Sequence, residues 1–203
     1  MTASYNIPAL EHQFEFEIKR SQFICYAAQA SHREAADHFI RSIRALHPQA
    51  RHVCWAYIAG APDTTVMSMS DDGEPGGTAG RPMLKVLQHS GMGEIVVAVV
   101  RYFGGIKLGT GGLQRAYSDA VSGVLEGLPL KLKVSRQLVQ LRYDYALESA
   151  VRHVLSRYDV EDEQLSYDLQ VSMSLQIASA QVLAFKTELT NHCAGAVHYP
   201  AIN

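Results

Sequence analysis

Residues 91–117, GMGEIVVAVVRYFGGIKLGTGGLQRAY, decide how this chain of 203 residues folds. Glu94 to Val100 reads as a strand whose residues from Ile95 on are an unbroken apolar, largely β-branched run, the pattern of a strand covered on both faces. Arg101, Tyr102 and Phe103 end it. Gly104-Gly105 and then Gly109-Thr110-Gly111-Gly112 follow and open a helix at about Leu113. On the other side of the strand lies a second glycine-rich loop, residues 70–81, SDDGEPGGTAGR. Eleven of the fifteen glycines fall between Ser70 and Tyr117. Because glycine costs backbone entropy, such a density marks places where the chain turns sharply or approaches another group closely.

A helix start offers free N–H groups and a positive dipole end, and glycines let an anion's oxygens reach them. Lys107 and Arg115 add full charges there. The physical expectation is an anion-binding loop for RNA or phosphate, formed by Arg81, Arg101, Tyr102, Lys107, Gly109, Thr110, Gly111, Gly112 and Arg115. Two better-known phosphate patterns fail. Gly104 to Thr110 has the outer spacing of a nucleotide phosphate loop, but Thr110 stands where its lysine belongs and Gly111 where its Ser or Thr belongs. No G-x-G-x-x-G sits between a strand and a helix.

Asp71, Asp72 and Glu74 cluster in the first loop. Asp71 and Asp72 are candidate ligands for a hard divalent cation. Equally, they suit a turn in which aspartates accept backbone hydrogen bonds. The nine histidines and the serines form no H-E-x-x-H or G-x-S-x-G, and His52, beside Trp55 in a strand, suits packing or hydrogen bonding better than chemistry. No catalytic set and no cofactor motif emerges.

The stretches SDDGEPGGTAGRPML and GMGEIVVAVVRYFGGIKLGTGGLQRAY closely resemble the signature of the IMPACT family, which includes bacterial YigZ-type proteins. The resemblance covers the N-terminal two-thirds in motif and the whole chain in length and layout. It implies an α+β protein: an N-terminal sandwich like domain 2 of ribosomal protein S5, and a C-terminal ferredoxin-like domain. It also implies a tie to translation. Eukaryotic relatives regulate translation under amino-acid starvation by competing for the activator of an initiation-factor kinase.

The remaining chain fits that layout. Phe14–Ile18 and Phe23–Ala28 read as two strands around a turn at Lys19-Arg20-Ser21. Ser31, with Glu34 three residues on, reads as a capping box opening a helix that Pro48 ends. Residues 51–59 alternate as a strand, a short strand ends at Ser70, and Arg81-Pro82 opens the helix MLKVLQHS. From Gln137 the order strand, helix, strand, strand, helix, strand, ending in AVHYPAI, is the ferredoxin-like arrangement. The expected domains are 1–130 and 137–203, joined by a basic linker at 131–136.

With a net charge of −2 and a pI near 6.5, the chain is not a globally basic nucleic-acid binder. Residues 137–203 carry 4 basic and 8 acidic side chains, so a grip on RNA belongs to the first domain. Cys25, Cys54 and Cys193 are odd in number and widely spaced, as expected of reduced core thiols. No signal peptide or membrane-spanning run is evident, and a cytoplasmic location is expected.

Three function classes follow. The first is a non-catalytic module binding RNA, the ribosome or a translation-associated protein. The second is an enzyme or sensor for a small phosphorylated ligand, with Asp71 and Asp72 on a metal. The third is protein docking by the acidic C-terminal domain.

Overall fold

The computed structural model describes residues 4–200, which form two compact units, Tyr5–Lys133 and 134–200. The architecture is α+β throughout, and none of the described helices is long and apolar enough to cross a membrane.

In the first unit the elements are β1 (Tyr5–Pro8), β2 (His12–Ile18), β3 (Ser21–Gln29), α1 (Arg33–Leu46), β4 (His52–Ile58) and β5 (Met67–Ser70). They continue with α2 (Gly80–Ser90), β6 (Ile95–Tyr102), α3 (Gly109–Glu126) and β7 (Leu130–Lys133). An antiparallel sheet in the order β2-β3-β6-β4-β5 places β6 at its centre. Because successive side chains point to opposite faces, the β-branched run divides its burial. Ile95, Val97 and Val99 join Met83 and Leu87 of α2 and Leu113, Tyr117 and Val121 of α3. Val96, Ala98 and Val100 join Phe39, Ile40 and Ile43 of α1. The strand starts at Ile95 because Glu94 takes a left-handed backbone, φ 50°.

The β2–β3 turn is two residues long, with Lys19 and Arg20 both at positive φ (47° and 62°), as a twist-matched hairpin requires. The cap of α1 falls one residue later than expected. His32, not Ser31, is the N-cap, and its Nδ1 accepts from the Ala35 amide at 3.3 Å. β7 occupies the start of the expected linker and pairs antiparallel with β1, Tyr5 opposite Lys133 and Pro8 opposite Leu130.

The second unit comprises β8 (Arg136–Tyr143), a 3-10 turn (Tyr145–Leu147), α4 (Glu148–Leu155), β9 (Val160–Tyr167), β10 (Val171–Ala178) and α5 (Val182–His192). Its sheet runs β8-β10-β9, and an antiparallel bridge from Arg142 to His198 lies on the outer side of β8. That is the β-α-β-β-α-β order of a ferredoxin-like domain. Of the expected final strand AVHYPAI, Ala201 and Ile202 lie outside the described residues. Val171, Met173, Leu175 and Ile177 alternate into a core shared with Val151, Val154, Phe185 and Leu189.

Candidate functional site

The loop from Ser70 to Gly80 is built by its acidic residues. The Asp71 carboxylate accepts the amides of Gly77 (2.8 Å), Ala79 (3.0 Å) and Gly80 (2.8 Å), capping α2 from a distance, since the N-cap residue Ala79 supplies no side-chain bond. Burial alone would raise its carboxyl, but those amides, with Arg81, outweigh it and hold it below the usual carboxylate range. Asp72 Oδ2 accepts the Val53 amide at 2.7 Å and lies 2.9 Å from Arg44. The Asp72 carbonyl accepts His52 Nδ1–H at 2.9 Å. The two carboxylates expected as metal ligands thus act on the main chain and on Arg44. Among the described residues no group of three or more His, Cys, Asp or Glu side chains converges as a metal site.

Glu74 turns inward. Its Oε1 accepts Arg101 Nη1 at 2.6 Å and the Tyr117 hydroxyl at 2.8 Å. The Cys54 thiol donates to the Asp71 carbonyl at 3.0 Å and lies 3.3 Å from the Tyr117 oxygen; burial pushes it up to about 12. All three cysteines are free and buried. Arg101, expected to face a polyanion, is only 6% exposed, its guanidinium 5.5 Å from the ring centroids of Phe23 and Phe103. Its Nε has no partner among the described residues. A guanidinium held this way serves the interior.

Strand parity also separates Tyr102 from the glycine loops. It lies on the α1 face, where its hydroxyl is 2.9 Å from His47 Nδ1, and His47 Nε2 is 2.7 Å from the Tyr26 hydroxyl.

The second glycine loop is open. Helix α3 starts at Gly109 rather than Leu113, its N-cap Leu108 makes no side-chain bond, and Gly109, Thr110 and Gly111 are exposed. Gly105 and Gly109 take φ 85° and 74°, so the turn out of β6 needs them. A Cβ at Gly105, Gly109 or Gly111 would meet nothing within 4 Å. Gly112 completes the same first turn, and Lys107 is exposed just before it.

Between α2 and α3 runs a groove of about 690 Å³ lined by Gly77, Arg81, Lys85 and His89 on one side and Gly111, Gln114, Arg115, Ser118 and Ser122 on the other. Among the described residues no acidic side chain lines it. Of the expected residues, Arg81, Gly111 and Arg115 meet here. Lys85 and His89 went unread, although their spacing from Arg81, four and eight residues, marks one helix face. The arrangement can hold a string of negative charges.

Comparison with known proteins bears on the whole chain. The Impact N-terminal domain matches residues 19–125. An IMPACT family member of Haemophilus influenzae is 43% identical over 194 residues, covering 95% of this chain and 94% of that protein. The Escherichia coli family member YigZ is 40% identical over 200 residues, covering 98% of each. A crystal structure described as a hypothetical protein superposes with a TM-score of 0.70 at 39% identity, over 100% of this chain and 99% of that one. The chain therefore belongs to the IMPACT family.

Proposed function

We propose that this is a non-catalytic, cytoplasmic, translation-associated protein that binds RNA through the phosphate backbone in the groove between α2 and α3. One observation carries the reading. Arg81, Lys85 and Arg115, with His89, face one another across a groove that no carboxylate side chain lines among the described residues, and the groove reaches Gly111 in the uncapped first turn of α3. Arg81 to His89 spans about 12 Å along the helix, at 1.5 Å per residue, a length that suits successive phosphates better than a single ion. Membership of the IMPACT family supports the link to translation.

The test is fluorescence anisotropy with single-stranded and ribosomal RNA fragments across a salt series. Arg81→Ala, Lys85→Ala and Arg115→Ala together should lower the log–log salt slope by about 2, at ~0.7 per phosphate contact, while Tyr102→Phe leaves it alone. RNA affinity without salt dependence, or a triple variant that binds like the parent, would defeat the reading. A thermal shift with a nucleotide and magnesium, in place of RNA binding, would favour a small phosphorylated ligand instead.

A further inference from the structure

At the end of the second unit where β9 turns into β10, apolar surface is exposed that the fold itself does not use. Tyr145 and Tyr167 stack with ring centroids 6.2 Å apart and planes at 19°, yet they are 51% and 60% exposed. Leu169, in the three-residue hairpin turn, is 91% exposed. Such turns favour Gly, Asn, Asp or Ser; the turn itself does not ask for leucine.

The cluster is held still. The Tyr145 hydroxyl donates to the Asp168 carbonyl at 2.6 Å, and Gln170 Nε2 donates to Asp144 Oδ1 at 2.8 Å. These bonds tie the hairpin to the β8–α4 connection and fix the Tyr145 ring, on which Tyr167 stacks, and such pre-organisation lowers the entropy cost of binding.

The charge left unpaired beside the rings has one sign. In the described second unit, Glu148, Asp159, Glu161, Glu163 and Glu188 are ion-paired with Arg136, Arg152 and Arg157. Asp144, Asp162 and Asp168 have no cationic partner there, and two of these three flank the tyrosines. The other basic residues lie elsewhere: Arg142 on the outer sheet face with Gln140 and Ser174, Lys186 over Tyr199.

We propose that this tip is a docking surface for a basic polypeptide segment. An arginine or lysine of the partner lies over the exposed tyrosine faces between Asp144 and Asp168, and a neighbouring aliphatic side chain covers Leu169. Nucleic acid is disfavoured because both carboxylates repel phosphate. A second copy joined by a two-fold contact would set this acidic surface against itself.

The test is an NMR titration of the full chain with a seven-residue peptide of arginine, leucine and glycine. The controls are the same peptide with glutamate for arginine, and a uridine octanucleotide. The basic peptide should shift the Tyr145 and Tyr167 ring signals and the Leu169 methyls saturably. Tyr167→Ser with Leu169→Ser should weaken it by about tenfold or more, as expected for anchor residues. Asp144→Asn with Asp168→Asn should weaken it and flatten its salt dependence. The proposal is overturned by no saturable shift, by an equal response to the glutamate peptide, or by unchanged affinity in either variant. Shifts of these signals by the oligonucleotide, or by protein concentration alone, overturn it too.

Discussion

Glu74 Oε1 lies 2.6 Å from Arg101 Nη1, with the two side chains only 3% and 6% exposed, so the glycine-rich loop ahead of α2 is anchored from inside to the end of β6. Taking two charges out of water costs about as much as their attraction returns. The Tyr117 hydroxyl helps the carboxylate, whereas Arg101 Nε is left without a partner. The pair therefore serves position more than stability.

Glu74→Ala should accordingly destabilise the first unit by about 3–5 kcal/mol, because it strands a buried guanidinium. Glu74→Leu combined with Arg101→Met should be less harmful than Glu74→Ala alone. Urea unfolding of the three variants checks this. A loss under about 1 kcal/mol for Glu74→Ala, the range of an exposed pair, would mean that the pair is solvated.

Asp71→Ala should cost about 2 kcal/mol, the upper end for a lost helix cap, since three amides lose their acceptor. The folded carboxyl is depressed, so its contribution is present above the unfolded pKa of about 3.9 and fades as pH falls through the lower folded value. Acid titration of stability should therefore be less steep in Asp71→Asn than in the parent.

Glu94 holds β1 and β7 to the main sheet. Its carboxylate accepts Lys133 Nζ, Gln29 Nε2 at 2.9 Å and the Tyr5 hydroxyl at 3.3 Å. Lys133→Met should cost about 1–3 kcal/mol, the price of an under-satisfied buried acceptor, and speed amide exchange in both short strands. The bond to Glu94 raises the Lys133 ammonium above its usual value. Its contribution is thus complete below about pH 10.4, disappears as pH rises through the folded value, and should be missing from alkaline titrations of Lys133→Met.

Two glycines separate the fold from the proposed groove. A Cβ at Gly104 would sit 1.9 Å from the Arg20 carbonyl oxygen, so Gly104→Ala should cost about 3 kcal/mol as the β2–β3 turn is forced away. At Gly111 a Cβ meets nothing within 4 Å, and Gly111→Ala should stabilise by up to about 1 kcal/mol. The same methyl stands where a phosphate would approach, so the RNA binding proposed above should weaken while thermal stability holds or rises.

Covering of the central strand on both faces was legible because an uninterrupted β-branched run leaves no polar face. The ferredoxin-like order was legible for a similar reason, with alternating strands and helical stripes each about one element long. Arg101 was misplaced because a charge ending an apolar strand looks exposed until its partner is known, and Glu74 lies 27 positions away. Tyr102 was misplaced by one step of strand parity. The linker became β7 because its partner, β1, is more than a hundred residues distant and only 4 residues long, too short to show a period. The facing of Arg81 and Arg115 needs the packing of α2 on α3, which neither helix states alone.

The β1–β7 ladder sets Tyr5 directly opposite Lys133, so the first unit's chain leaves where it began. A segment with adjoining ends can be spliced into a host loop or rewired to new termini with little disturbance to its interior. Tyr5–Lys133 therefore has the end-to-end geometry of a transplantable cassette.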